Sequence, residues 1–225
     1  MTSLSTPALS SPSSVSPPGH IVRRVLVIAL VAAACGCSTA TTQGTFPRSS
    51  TNHLASELVF VMPPRLDGQP TGNIGRDLGA VEQLIGARVL AIVREREPSA
   101  SMAGTIGDTP YLPMKPYIDA VAPARVTREE LNAAGFARQH GGTHLVVPTI
   151  IEWREMRTDD PIGALTLPHA EIAIGLRLVR LDSPAVEGQV TFKNHARITV
   201  NQSADRLLNS DFRRTVLRLV TGDAG

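Results

Sequence analysis

Three stretches in the C-terminal half alternate with period two, and they constrain the fold more than anything else in the chain. From His144 to Arg154, Leu145, Val147, Thr149, Ile151 and Trp153 share one face. From Glu171 to Leu181, Ile172, Ile174, Leu176 and Leu178 share one face, with Glu171, Ala173, Gly175 and Arg177 opposite. From Gln189 to Val200, Val190, Phe192, Ala196, Ile198 and Val200 point inward, with Thr191, Lys193, His195 and Arg197 outward. Strand side chains point alternately to the two faces, so this pattern predicts an antiparallel sheet with one covered and one wet face. Asp182 to Gly188 supplies the hairpin between the last two strands.

Such a sheet needs helices on its apolar face. Ile74, Leu78, Val81, Ile85, Val89 and Ile92 recur at steps of three and four, which predicts an amphipathic helix from about Gly75 to Arg96, with Asn73 as its N-cap and Pro98 ending it. Thr127 to Glu130 has the capping-box spacing and opens a second helix that ends at Gly141-Gly142. A third runs from Ala204 to Val220 behind Ser203, with the stripe Leu208, Phe212, Val216 and Leu219. Ahead of them, Leu58 to Met62 reads as a short buried strand stopped by Pro63-Pro64. The expectation is an α+β two-layer sandwich: a mixed, mostly antiparallel sheet of four to five strands with three helices.

Residues 98–126 carry five prolines and no sustained period, so they read as a loop insertion in which Tyr117 to Val121 could form a strand. Tyr111, Leu112 and Met114 have no stripe to join and are the candidate interaction loop. They could equally pack down on the first helix.

The N-terminus bears on location. Arg23-Arg24 precede the apolar run Val25 to Ala34, and Cys35-Gly36-Cys37 follow small residues. The uncharged stretch from Val25 to Cys37 is 13 residues, short of the roughly 20 that span a bilayer, so it reads as a signal h-region. A cysteine directly after small residues resembles the lipobox of bacterial lipoproteins, which implies cleavage before a cysteine that carries diacylglycerol. Cys35 is the expected anchor and Cys37 the alternative. Gly36 or Ser38 after it, rather than aspartate, implies the outer membrane by resemblance to enterobacterial sorting. The expected organisation is a signal peptide with an extended N-terminus at 1–34, a lipidated Ser/Thr-rich tether at 35–56, and a periplasmic domain at 57–222. Within the tether, Phe46 and Leu54 would be the residues to bury if part of it packs on the domain.

The block from Ala133 to Arg154, the run Ile174 to Val179, the hairpin and the final helix together resemble a family of uncharacterised proteobacterial lipoproteins with a domain of unknown function. The layout is more distantly similar to the amino-terminal domain of the Tol–Pal translocation protein, and to curli-secretion and penicillin-binding-protein-activator lipoproteins. That resemblance implies binding and assembly rather than catalysis.

Charge and chemistry point the same way. The formal charge is +2; both excess charges are Arg23 and Arg24, so the remainder is balanced, which argues against a nucleic-acid module. Aromatics at 4% argue against a stacking platform. His140 and His144 have H-x₃-H spacing, but Gly141-Gly142 breaks the helix that would align them, so no metal is expected. Gly68, Gly72 and Gly75 lack the companions of a phosphate loop. Glu152, Arg154, Glu155, Asp159 and Asp160 read as a solvated rim, and Trp153 as core. No catalytic set and no cofactor is expected. The expected partners are the membrane, through an N-terminal lipid, and a periplasmic protein. The second reading is a small-ligand-binding lipoprotein with 98–126 as a lid.

Overall fold

In a computed structural model of the chain, the structure describes residues 39–47, 58–67, 77–104, 115–121, 126–156, 169–197 and 204–222. Cys35 and Cys37, the loop residues Tyr111, Leu112 and Met114, the glycines at 68, 72 and 75, Leu54, Asp159 and Asp160 lie outside them. So do the expected caps Asn73 and Ser203, and Ile198 and Val200.

The elements are β1 (Thr39–Thr45), β2 (Val59–Val61), β3 (Arg65–Leu66), α1 (Leu78–Arg94), β4 (Ser101–Met102), α2 (Lys115–Val121), α3 (Arg128–Gln139), β5 (His144–Met156), β6 (His169–Arg180), β7 (Ala185–Arg197), a 3-10 turn (Ala204–Leu207) and α4 (Ser210–Thr221). The α+β class holds, but the sheet is an open, mixed one of seven strands, with four α-helices among the described residues. Its order is β1-β7-β6-β5-β2-β4, with β3 also on β5. β5, β6, β7 and β1 pair antiparallel, while β2 and β3 run parallel to β5 and β2 runs parallel to β4.

Three differences from the expected count have physical causes. Pro63-Pro64 interrupts a strand rather than ending it. Prolines cannot donate to the ladder, so pairing with β5 stops after Met62 N–H, which reaches the Val146 carbonyl at 2.9 Å, and resumes at β3. Tyr117 to Val121, read as a possible strand, is the helix α2. The expected tether is not free along its length: Thr39–Thr45 is an edge strand zipped to β7 from Thr39↔His195 to Thr45↔Gln189. Gly44 is obligatory there, because φ is +138° and a Cβ would lie 2.1 Å from the Gln189 carbonyl oxygen.

The larger core lies on one face of the sheet. Val81, Ile85, Val89 and Ile92 of α1, with Phe212, Val216 and Leu219 of α4, cover Ile172, Ile174, Leu176, Leu178, Val190 and Phe192. Asp77 caps α1 by accepting from Gly79 N–H. The expected single C-terminal helix is broken at Leu208: Asn209 caps α4, accepting from Asp211 and Phe212 N–H at 3.0 and 3.3 Å. The sheet holds the preceding 3-10 turn with two buried side chains. Glu155 accepts from Ala204 N–H at 2.8 Å, and Asn194 donates to the Leu207 carbonyl at 2.9 Å. Outside the fold, Arg213 and Glu95 link α4 to α1. The guanidinium hydrogen bond holds the Glu95 carboxyl below its ordinary range.

The sandwich is not simply two-layered. A second core on the other face joins Ala133, Ala134 and Ala137 of α3 and Tyr117 and Val121 of α2 to Phe60, Leu145, Val147, Val179 and Leu181. At that end the sheet is covered on both faces, so a strand there must be apolar on both. This explains why Leu145 and Val147 face opposite to Val146 and Ile150. A bulge between Ile150 and Glu152 then returns Trp153 to the main core. The expected single face for Leu145 through Trp153 is therefore corrected, while the faces expected for the described parts of β6 and β7 hold.

Candidate functional site

Where α2 and α3 stop covering the second face, a groove of about 500 Å³ opens between the start of α3, β3 and the floor formed by β5, β6 and β7. Gly175 lies in the floor, and Ile151, one of the exposed large hydrophobic residues at 42%, stands over it. Thr149, Gln189 and Thr191 supply uncharged hydrogen-bonding groups, and Met62 and Arg65 form the wall under β3.

One end of the groove is closed by a buried polar network. Thr127 accepts from Glu130 N–H at 3.1 Å, as the capping box requires. The Glu130 side chain does not return the bond. It is buried, accepts from the Tyr117 hydroxyl at 2.7 Å and pairs with Arg177 Nη2 at 2.6 Å. Burial, reinforced by the Glu130 carboxylate, pushes the Tyr117 phenol well above its ordinary value, so Tyr117 is a donor throughout the physiological range. Glu129, beside it, is exposed. Its own backbone N–H and the Thr127 hydroxyl hold its carboxyl below the usual range. The first turn of α3 thus carries two carboxylates, one outward and one in an ion pair beneath the helix. Arg65 and Asp67 at the rim bring the groove's charges close to balance. The groove accommodates an uncharged, hydrogen-bonding chain better than a strong anion.

The sequence did not single out this trio. Glu130 looked like a cap, Arg177 like a member of the wet face, and Tyr117 like a strand residue. The available signal lay in the company Arg177 keeps: Ala173, Gly175 and Val179 on its face of β6 are not what a solvated face carries.

The other candidates are dispersed. His140 stacks on Phe136, with Nδ1 2.8 Å from the Phe136 carbonyl. His144 is buried, with Nε2 3.1 Å from Glu187, which also pairs with Arg180. The two histidines therefore serve different partners, and among the described residues no cluster of three or more metal-ligating side chains forms. Glu152 and Arg154 pair at 2.7 Å on the rim as expected. Glu155 departs from that reading: it is buried and works as the cap of the 3-10 turn. Trp153 is core. Phe46, half-buried, packs against the main core with the Arg218 guanidinium 4.0 Å over its ring.

Comparisons with known proteins bear on this fold. No family model and no curated protein matches the chain. Among solved structures, the chain is similar to the PelC dodecamer from Paraburkholderia phytofirmans, at 11% identity and TM-score 0.52, covering 81% of this chain and 98% of that one. The lipoprotein GNA1162 from Neisseria meningitidis matches at 10% identity and TM-score 0.37, over 74% of this chain and 96% of that one. The hypothetical protein CT253 from Chlamydia trachomatis matches at 10% and 0.37, over 62% and 73%. The first likeness is one of fold. Among the described residues, no helix is long and apolar enough to cross a membrane.

Proposed function

We propose that this chain is a lipoprotein anchored at the periplasmic face of the outer membrane through Cys35 (or Cys37), and that its domain works without catalysis as an assembly module. The observation that carries the reading is β1. It is an edge strand of seven residues, TATTQGT, with no charge and no proline. Natural sheets block such edges with lysine, proline or bulges, because a row of unpaired N–H and C=O groups recruits another strand. Among the described residues no strand pairs with the free side of β1, and such an edge is a surface suited to pairing. The fold it shares with PelC, which was solved as a dodecamer, makes a second copy of this chain the partner to test first.

Thr41 and Gln43 are exposed on β1. Replacing both with Lys leaves the β1–β7 ladder intact and charges the free edge. The expected outcome is loss of the oligomer in light scattering, and of cross-linked species on membranes, with an unchanged melting temperature. A monomeric, uncross-linkable wild type would refute the edge as an assembly surface. The second reading is a small-ligand-binding lipoprotein, favoured by the groove beneath Ile151, whose volume is in the range that small molecules occupy.

A further inference from the structure

The geometry points to a domain held flush against the membrane, with the Thr39 end of the sheet facing the lipid surface and the β6–β7 turn facing away. The inference rests on the proposed lipid anchor. β1 begins at Thr39, four residues after Cys35 and two after Cys37. Four residues reach at most about 14 Å even when fully extended. The anchor therefore enters the sheet almost directly. Thr39 itself is fixed by its pairing with His195, which continues through Glu171 to Arg154 across β6 and β5.

This row lies two residues from the Arg197 end of β7, which is the end of the sheet nearest the lipid. The next covalent landmark along β7, the turn at Leu181–Pro184, lies at the other end of a strand of 13 residues. At about 3.3 Å per residue, that turn stands some 30–40 Å from His195. A domain on a long polar tether would tumble, and the two ends would be equidistant from the membrane on average. A strand that starts within two to four residues of the lipid fixes which end is down.

Electrostatics does not add to the hold. Along the rows from Arg197 to Lys193, the formal charges of Arg154, Lys193 and Arg197 are matched by those of Glu152, Glu155 and Glu171, so they offset. The attachment is covalent in origin and should be insensitive to ionic strength.

The test uses the full chain, processed in bacteria and purified from membranes, with intact mass reporting the lipid. It is placed in vesicles of phosphatidylethanolamine and phosphatidylglycerol that carry an acceptor dye on the headgroups. A donor is attached to His195→Cys or, separately, to Ser183→Cys; Cys37→Ser removes the spare thiol when Cys35 is the lipidated residue. Transfer from position 195 is expected to exceed that from position 183 at least twofold, at low and high salt alike. Inserting ten Gly/Ser residues between Ser38 and Thr39 should erase the difference. Equal transfer from both positions in a chain shown to be lipidated would overturn the flush orientation. A difference that survives the insertion would overturn the short reach as its cause. A chain without lipid would instead sink the anchor reading on which the inference rests.

Discussion

At the scale of single residues, Tyr117, Glu130 and Arg177 carry the clearest consequence. The Tyr117 phenol is uncharged while protonated, and burial raises its folded value above the ordinary 10.0. The native state therefore keeps a proton that the unfolded chain releases above about pH 10. Stability linked to this group is present in full below that pH and falls as pH rises beyond it, by at most about 1.4 kcal/mol per pH unit. Tyr117→Phe removes the titration and one hydrogen bond. We expect it to cost about 1 kcal/mol at neutral pH, and to flatten the decline of urea-unfolding stability between pH 10 and 11 relative to wild type. Equal slopes in the two proteins would show that Tyr117 titrates freely. None of this was legible from spacing: Glu130 and Arg177 lie 47 residues apart, and local pattern reports a residue's own element rather than what crosses over it.

At the scale of elements, what the sequence conveyed well was amphipathicity. The stripe of α1, the stripe of α4 and the two faces of β6 were all readable, because each element packs mainly on one side. What it conveyed poorly was interruption. Pro63-Pro64 reads as a stop, yet a parallel neighbour lets the strand resume at Arg65. Trp153 was correctly placed in the core, but by counting straight through a bulge. The Ala204-to-Val220 stripe looks unbroken, although Asn209 takes a non-helical conformation and restarts the helix. Asn209→Ala tests that break. Losing the cap should lower stability by about 1 kcal/mol, with a matching drop in denaturation midpoint and little change in slope. A neutral result would mean that the grip of Glu155 and Asn194 on the 3-10 turn positions α4 without its cap.

At the scale of the whole molecule, the fold extends further toward the N-terminus than hydrophobic patterning indicates. Polar strands such as TATTQGT carry no period to read; their evidence is the neighbour they complete. A chain beginning at Glu57 would lack β1 and the Phe46 contact, and would leave the β7 edge open. It should melt at lower temperature than one beginning at Ser38 and should aggregate at lower concentration, as light scattering during a thermal ramp would register. Identical melting and solubility would return residues 39–47 to the status of a passive leader. The position of β1 also governs the order in which the molecule can be made. Thr42 bonds Thr215 across 173 residues of chain, and every residue of β1 waits for β7, which is synthesised long after it. The first of the described strands to be made is thus among the last to find its place. If the proposed lipid anchor holds, its uncharged edge stands until then without its β7 partner beside the lipid, where neighbouring copies would meet it in the same condition.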